Sequence, residues 1–393
     1  MRAWLTTAVA LLAFASSATA GELRSFKLPS PLVDTATPGG TLSGGRTVPK
    51  VNVLLPNGYR AGAGRRYPVL WLLHGANGGA DSWLRGGMES IEELAAGLQA
   101  IAVMPDGGPF GMYMDWWNAG ARGDPAWTSY HLEVLRREIE RRYPIRPGRR
   151  WHAIAGISMG GQGTLRYAAM LPGYFGSAVG LSAALPDMRS ADAQFGIALL
   201  LAGAPGVSYP AIFGPANGPY AEGTSPRALA PNLRHTRLYL TSGNGTNCPG
   251  DPMTGSYLTD IVTESFINAQ QQPFADAARA AGADVTAVTT CGVHTFGVWD
   301  RGFPQAREWG FFRPVPERPR QWSYRTVATA GEMWGLRFRF AEPPPEVVEF
   351  ARHGARLRGA GSGSVKLRGR RGCRLSLELP FEHRLPGACT RSL

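Results

Sequence analysis

Residues 151–170 read WHAIAGISMGGQGTLRYAAM, and two structural patterns meet in this segment. The apolar run at 152–157 predicts a buried strand. It ends in Gly156-Ile157-Ser158-Met159-Gly160, a G-x-S-x-G sequence, and the residues that follow favour a helix. A strand that turns into a helix at this sequence exposes the serine hydroxyl above the helix N-terminus. A chain of this length and composition would contain about 0.4 G-x-S-x-G matches by chance. The prediction that Ser158 is a nucleophile therefore rests on the strand before the motif and the helix after it.

The surrounding sequence predicts the fold class. Short apolar runs alternate with helix-like stretches from residue 51 to 313, the pattern of an α/β domain with a mostly parallel sheet. Residues 128–143 place apolar side chains at helical spacing and predict an amphipathic helix. Together with the serine turn, the pattern predicts an α/β-hydrolase with helices flanking the sheet. The candidate strands are 51–55, 69–73, 101–104, 153–157, 178–181, 237–240 and 285–288.

The composition changes near the C-terminus. The chain has 393 residues and a net charge of +12. We predict an α/β-hydrolase domain at 21–313, a Pro/Arg-rich linker at 314–321 and a basic β module at 322–393. From residue 317 onward 15 basic and 7 acidic residues contribute +8 of that charge. Apolar and polar residues alternate in this module, which predicts strands in a sandwich-like arrangement. A disulfide between Cys373 and Cys389 is expected because so small a core is marginal.

The N-terminus predicts export. Arg2, an apolar run at 4–14 and Ala18-Thr19-Ala20 have the order of a signal peptide over residues 1–20. No apolar run approaches the roughly 20 residues that a transmembrane helix needs. We therefore expect a protein that is secreted or associated with the cell envelope. Four cysteines in such a chain predict two disulfides, with three possible connectivities.

A serine nucleophile needs a base, and four histidines follow it in the chain. The α/β-hydrolase order is serine, acid, histidine, so the base comes after Ser158. His353 and His383 lie in the basic module, and His235 precedes a strand at the opposite edge of the sheet. His294 follows the last predicted strand of the domain. By elimination, His294 is the candidate base.

Two carboxylates remain candidates for the acid that orients the imidazole. Asp251 follows the strand at 237–240, the usual place for this acid, and Glu264 begins a helical stretch soon afterwards. The residues alone leave both open and slightly favour Asp251. The oxyanion hole needs two backbone N–H groups, for which Met159 and Ala76 are the candidates. Ala76 lies in the glycine-rich sequence His74-Gly75-Ala76-Asn77-Gly78-Gly79.

These residues resemble a known family, the antigen 85 mycolyltransferases and the wider esterase D-like group of secreted serine esterases. The resemblance covers residues 28–310. In that family the acid is a glutamate on a helix after a Gly-Asn-Gly-Thr loop, which implies Glu264 rather than Asp251, and the second oxyanion donor matches Ala76. The matching sequences are Leu72-Leu73-His74-Gly75, Val103-Met104-Pro105-Asp106-Gly107-Gly108, Asp115-Trp116, Gly156-Ile157-Ser158-Met159-Gly160, Leu181-Ser182-Ala183, Ser242-Gly243-Asn244-Gly245-Thr246, and His294 with Trp299.

Two departures bear on the substrate. Mycolyltransferases have an aspartate before the oxyanion glycine that helps to hold trehalose, whereas this chain has His74, as general esterases do. Their cysteine pair after the Asp-Trp sequence is absent from 118–127. The resemblance therefore does not extend to trehalose as acceptor. Cys248 and Cys291 each follow a strand on the site side of the sheet, and their pairing is a hypothesis.

The expected function is that of a secreted serine esterase that hydrolyses carboxylic esters through an acyl-serine. The alternative is an acyltransferase of the mycolyltransferase type, which moves an acyl chain to a sugar or glycerol hydroxyl. A third hypothesis is a non-catalytic envelope-binding protein on a hydrolase scaffold. We expect no cofactor, no metal site and no nucleic-acid partner. The expected partners are an ester or acyl-lipid substrate and, through the basic tail, an anionic cell-envelope polymer or lipid.

Overall fold

The computed structural model describes residues 21–33, 48–85, 91, 95, 97–202, 204, 207–251 and 256–391. The signal peptide predicted for residues 1–20 lies outside them. The strands before residue 314 are β1 (Leu23–Lys27), β2 (Lys50–Leu54), β3 (Val69–Leu73), β4 (Ile101–Pro105), β5 (Asp115–Trp116), β6 (Gly123–Ala126), β7 (His152–Ile157), β8 (Ser177–Leu181), β9 (Arg237–Gly243) and β10 (Asp284–Thr290).

Helices cover both faces of the sheet. A π-helical segment, Tyr130–Leu135, joins α2 to α3 and completes the predicted amphipathic helix. The helices are α1 (Ser82–Arg85), α2 (Trp127–Ser129), α3 (Arg136–Arg142), α4 (Met159–Met170), α5 (Ala191–Leu201), α6 (Tyr209–Phe213), α7 (Pro219–Thr224), α8 (Tyr257–Ala280) and α9 (Phe296–Trp309). Single 3₁₀ turns occur at Pro31–Val33, Asn118–Gly120, Arg149–Trp151 and Ala230–Leu233.

Eight strands form the central sheet in the order β1-β2-β4-β3-β7-β8-β9-β10. The strands from β4 to β10 in this order run parallel. At the edge of the sheet, β2 runs antiparallel to both of its neighbours, β1 and β4. Every residue of β3, β4, β7 and β8 is buried, as expected for strands covered on both faces. The predicted strands and the α/β class are confirmed. β1 was missed because its largely exposed sequence, LRSFK, has no continuous apolar run.

The C-terminal residues form a second, antiparallel sheet. Its strands are β11 (Gln321–Thr326), β12 (Ala330–Met333), β13 (Leu336–Phe340), β14 (Val348–His353), β15 (Arg356–Arg368) and β16 (Arg374–Arg384), followed by α10 (Gly387–Thr390). The β module is confirmed, and Phe338 of β13 packs on Phe350 of β14 with 6.2 Å between ring centroids, so the two halves of the module face each other. β15 pairs with β14 through its first half, with β13 through its second half and with β16 along both, so the six strands form one sheet. A disulfide joins Cys373 to Cys389.

The segment predicted as a linker is held against the first domain. The carboxylate of Glu317 accepts hydrogen bonds from the backbone N–H groups of Arg149 and Arg150, at 2.8 and 3.1 Å. The guanidinium of Arg149 donates to the carbonyl oxygen of Pro316 at 2.8 Å and stacks on Trp334 of the β module. The two parts therefore share a buried polar contact. The domain boundaries themselves stay a prediction.

Candidate active site

Ser158 lies on the turn between β7 and α4. Its backbone has φ 54° and ψ −118°, a conformation that non-glycine residues rarely adopt. The two glycines of the G-x-S-x-G sequence make this turn possible. A Cβ added at Gly156 would lie 2.3 Å from the carbonyl oxygen of Gly160, and one at Gly160 would lie 2.3 Å from that of Leu73. The turn thus requires glycine on both sides of the serine.

His294 reaches Ser158 from the loop after β10. Its Nε2 lies 2.9 Å from the Oγ of Ser158, in position to accept the hydroxyl proton. The backbone N–H of His294 donates to the carbonyl oxygen of Asp260 in α8, at 3.1 Å. The imidazole also meets the indole of Trp299 edge to face, with 5.2 Å between ring centroids. These contacts hold the ring between the serine turn and α8.

Glu264 lies behind the imidazole and is fully buried in α8. Its Oε2 is 2.6 Å from Nδ1 of His294 and accepts the hydrogen of that nitrogen. Its Oε1 accepts from the hydroxyl of Ser182 at 2.7 Å and from the backbone N–H of Gly243 at 2.6 Å. Because both oxygens have fixed donors, the carboxylate cannot rotate away from the histidine.

Asp251, the alternative acid, does not reach the imidazole. Its carboxylate pairs with both terminal nitrogens of Arg301, at 2.8 and 3.0 Å. The structure therefore does not bring Asp251 to the imidazole, because the loop after β9 turns its carboxylate towards α9 instead. Helix α8 instead places Glu264 beside the end of β9, where its carboxylate accepts a hydrogen bond from the backbone N–H of Gly243.

A disulfide joins the two loops beside the site. Cys248 follows β9, Cys291 follows β10, and their Cα atoms are 5.1 Å apart. The pairing is the one hypothesised from the sequence. Cys291 lies three residues before His294, so the bridge restrains the loop that presents the imidazole.

The two oxyanion candidates lie on either side of Ser158. Met159 is the first residue of α4, where a backbone N–H has no acceptor within the helix. Ala76 follows Gly75, and a Cβ added at Gly75 would lie 3.5 Å from that of Ser158. Both amides therefore border the serine hydroxyl. Their role in holding an oxyanion stays a prediction.

His74 positions the loop that carries Ala76. Its Nδ1 lies 2.8 Å from the carbonyl oxygen of Gly75, and its Nε2 lies 2.9 Å from the backbone N of Gly107. These partners require a hydrogen on Nδ1 and a free acceptor on Nε2, the neutral ring. Full burial lowers the pKa of His74, which favours the same form. His74 thus ties the loop after β3 to the loop after β4.

A cavity of about 790 Å³ opens over Ser158 and His294. The loop at 75–80, Trp299, Leu200 of α5 and the first turns of α8 line it. Six large apolar side chains are exposed in the described part of the chain, and four of them lie on α5 and α8, the helices that contribute Leu200, Thr259, Asp260 and Thr263 to the lining. The four exposed side chains are Phe195, Leu199, Leu258 and Val262. These four exposed side chains on the two helices are called the apolar rim.

Among the described residues, no group of three or more His, Cys, Asp or Glu side chains is arranged to hold a metal ion. Within the same residues, no helix has the length and apolar character to cross a membrane.

Sequence reasoning assigned no role to two groups that contact the candidate acid. Ser182 and the backbone N–H of Gly243 both donate to Glu264. Each lies at the carboxyl end of a parallel strand, where ligand and catalytic groups collect in open α/β sheets. That position was visible from the predicted strands. Their common partner was not, because it depends on how α8 packs over the sheet.

The chain was compared with known proteins. The model of a family described as putative esterase matches residues 46–309. The chain is 46% identical over 134 residues to Esterase Rv1288 of Mycobacterium tuberculosis, which covers 33% of this chain and 28% of that protein. It is 31% identical over 205 residues to the diacylglycerol acyltransferase/mycolyltransferase Ag85B of Mycobacterium avium, covering 50% and 60%. The chain thus covers less than two thirds of either relative.

One solved structure with a similar fold is that of Mycobacterium tuberculosis MPT51 (FbpC1). It has a TM-score of 0.57 and 22% identity, over 75% of this chain and all of that one. At this identity the likeness concerns the fold, and it confirms the α/β-hydrolase prediction. The resemblance to the antigen 85 and esterase group is also confirmed. Because the family match spans more than half of the chain, the protein belongs to the putative esterase family.

Proposed function

We propose that the protein is a secreted serine esterase that hydrolyses carboxylic esters through an acyl-serine intermediate. One observation carries the proposal: Ser158, His294 and Glu264 form a continuous hydrogen-bonded chain, with distances of 2.9 and 2.6 Å. A serine hydroxyl next to an oriented imidazole is the arrangement that activates this weak nucleophile. The family match over residues 46–309 supports the same activity.

The geometry accounts for each proton in the reaction. As Oγ of Ser158 attacks the ester carbonyl carbon, Nε2 of His294 takes the hydroxyl proton. The carbonyl oxygen becomes an oxyanion that accepts hydrogen bonds from the N–H groups of Ala76 and Met159. His294 then protonates the leaving alcohol, and the acyl group stays on the serine. Water, deprotonated by the same imidazole, attacks the acyl-serine; the imidazolium then returns the proton to Oγ of Ser158 as the acid leaves, while Glu264 orients the ring throughout.

The apolar rim favours an ester with a long acyl chain. Phe195 and Leu258, on the two helices that border the cavity, are 71% and 77% exposed to solvent. Helices α5 and α8 pack closely there, since a Cβ added at Gly196 would lie 2.9 Å from the ring of Phe266. An acyl chain lying across this rim would cover these side chains, at roughly 25 cal/mol per Å² of apolar surface buried.

Replacement of the nucleophile tests the proposal. Ser158→Ala removes the attacking oxygen, so we expect hydrolysis of p-nitrophenyl butyrate to fall by about 10⁴-fold or more. Mass spectrometry should find a fluorophosphonate adduct on the wild type and none on this variant. Circular dichroism serves as the control for folding. Undiminished hydrolysis by Ser158→Ala would leave the non-catalytic scaffold as the better hypothesis.

An acyltransferase is the second candidate, favoured by the likeness to proteins named diacylglycerol acyltransferase/mycolyltransferase. Transfer and hydrolysis share the acyl-serine and differ only in whether a hydroxyl compound or water accepts the acyl group. His74 is buried and held by Gly75 and Gly107, so it is not available to hold a sugar. Mass spectrometry of products formed with and without glycerol or trehalose separates the two: a new ester supports transfer, and free acid alone supports hydrolysis.

Export is part of the proposal. The signal sequence predicted at 1–20 supports it, and so do the two disulfides, which persist in oxidising compartments. N-terminal sequencing of the protein from culture medium should begin at Gly21. A protein retained in the cytoplasm with Met1 intact would contradict this part.

A further inference from the structure

A second cavity lies between the α/β domain and the β module. It has a volume of about 800 Å³, and the residues that line it come from both parts of the chain. Of the described residues that line it, nine are arginines and three are glutamates. It borders the turn Arg149–Trp151 before β7, whereas Ser158 follows β7. Since a strand rises about 3.3 Å per residue, this cleft lies about 20 Å from the nucleophile.

Three arginines of the β module form a row along one wall of the cleft. Arg337 of β13 is directly opposite Arg368 of β15, which is directly opposite Arg374 of β16. Neighbouring strands are about 4.8 Å apart, so three positive charges occupy about 10 Å. Like charges in directly opposite positions destabilise a sheet. The row therefore destabilises the free protein, and a bound anion would remove this destabilisation.

The opposite wall adds arginines that contacts with neutral groups hold in place. The guanidinium of Arg146 lies 3.7 Å from the ring centroid of Trp151, and Arg66 donates to the carbonyl oxygen of Ile145 at 3.1 Å. In the part of the chain that the structure describes, neither has a carboxylate within 4 Å, and the same holds for Arg368 and Arg374. Among the described residues, no ion pair offsets the charge of these four guanidinium groups.

The acidic groups of the cleft do not cancel this charge. Glu317 accepts hydrogen bonds from two backbone N–H groups, Glu140 pairs with Arg136 at 3.3 Å, and Glu332 lies 3.8 Å from Arg337. Nine arginines minus three glutamates leave +6 along the walls. His152 adds nothing to this sum at neutral pH, because burial lowers its pKa to about 4.

We propose that this cleft is a binding site for a ligand that carries several phosphate groups. A guanidinium donates two parallel hydrogen bonds to phosphate oxygens, and each phosphate has several oxygens that two neighbouring arginines can share. The row of Arg337, Arg368 and Arg374 presents such donors at regular intervals, and Arg66 and Arg146 face a ligand seated there. The site is separate from the ester chemistry. It would hold the enzyme on a phosphate-bearing polymer or headgroup while the cavity at Ser158 stays open.

Calorimetric titration of the full chain with sodium tripolyphosphate tests the site. We expect one ligand per chain and an affinity that falls as sodium chloride is added. The double variant Arg368→Gln/Arg374→Gln should bind at least about tenfold more weakly, because it loses two charge-assisted contacts. Arg66→Gln on the facing wall should also bind more weakly. Hydrolysis of p-nitrophenyl butyrate by these variants should equal that of the wild type.

The matched control is Arg356→Gln/Arg384→Gln. Arg356 and Arg384 are directly opposite on the same two strands, β15 and β16, but lie outside the cleft. The control removes the same charge, so an equal loss of affinity in both double variants would mean non-specific attraction and overturn the site. Absence of binding by the wild type, or equally tight binding of citrate, would overturn it as well. A loss confined to the β-module variant, with Arg66→Gln unchanged, would contradict a ligand held between two walls.

Vesicles distinguish two sources of the phosphate. Flotation with phosphatidylcholine vesicles, with and without phosphatidic acid, is measured for the wild type and for Arg368→Gln/Arg374→Gln. Binding that needs phosphatidic acid and is lost in the variant identifies a lipid headgroup as the ligand. Binding of tripolyphosphate without binding of vesicles identifies a soluble phosphate-bearing ligand. Vesicle binding that the variant retains would place membrane attachment elsewhere and contradict a lipid ligand in this cleft.

Discussion

The surroundings of Ser158 and Glu264 determine what each side chain can do. The serine is held at a positive φ by a turn that only glycines at 156 and 160 allow. Glu264 and Asp251 are both carboxylates near the end of β9. The first accepts from Nδ1 of His294, and the second accepts from Arg301. The carboxylate of Glu264 thus orients an imidazole, whereas that of Asp251 pairs with an arginine of helix α9.

Neutralising these two carboxylates should have different effects. Glu264→Gln keeps the size of the side chain but loses the charge that stabilises the imidazolium, so we expect kcat for p-nitrophenyl butyrate to fall by about 10³- to 10⁴-fold. Asp251→Asn should keep kcat within about threefold and lower stability by about 1 kcal/mol, the scale of one partly exposed ion pair. Steady-state kinetics and urea unfolding measure both. If Asp251→Asn abolished activity and Glu264→Gln did not, the assignment of the acid would be reversed.

At the scale of elements, two loops and one helix assemble the site. The loop after β9 and the loop after β10 are joined by Cys248 and Cys291, and α8 holds the second loop through the bond from His294 N–H to the carbonyl of Asp260. Parallel strands make this possible because their carboxyl ends meet at one edge of the sheet. The disulfide adds a covalent restraint between two neighbouring strand ends.

Removal of this disulfide should lower both stability and activity. The bridge closes a loop with a sequence separation of 43 residues, for which chain entropy gives up to about 4 kcal/mol. We expect Cys248→Ser/Cys291→Ser to lose about 2 to 4 kcal/mol of unfolding free energy and to lower kcat more than KM. Urea unfolding and steady-state kinetics provide the measurements. Cys373→Ser/Cys389→Ser is the matched control, since that bridge lies in the β module: it should lose stability while kcat stays unchanged.

For the whole molecule, neutral histidines inside the α/β domain make stability depend on pH. Burial lowers the pKa of His131 to about 3 and that of His152 to about 4, from 6.5. Above pH 6.5 the rings are neutral in both folded and unfolded chains. As pH falls below 6.5 only the unfolded chain takes up protons, so the free energy of unfolding decreases.

The expected loss is about 3 kcal/mol for each of these two rings by pH 4. His152→Gln tests it, because the amide N–H₂ can donate to the carbonyl of Arg146, the partner that Nε2 has in the wild type. The variant should lose less stability than the wild type between pH 7 and pH 4 in urea unfolding. An identical pH dependence would mean that His152 takes up its proton in the folded state.

Local sequence patterns determined the strands, the serine turn and the alternating β module, because periodicity and glycine requirements act over a few neighbouring residues. The order of serine, acid and histidine left four histidines as candidate bases, and their places relative to the predicted strands left His294. The family resemblance, rather than spacing, pointed to Glu264. Pairing of Cys248 with Cys291 was a hypothesis based on each cysteine following a predicted strand on the site side of the sheet.

Tertiary structure alone decided which carboxylate faces the imidazole, that Ser182 and Gly243 donate to it, and that the six C-terminal strands form one sheet. It also decided the row of Arg337, Arg368 and Arg374. These residues are up to 37 positions apart in the chain. Their alignment depends on strand register, which hydrogen bonds between distant segments set and which no local pattern encodes.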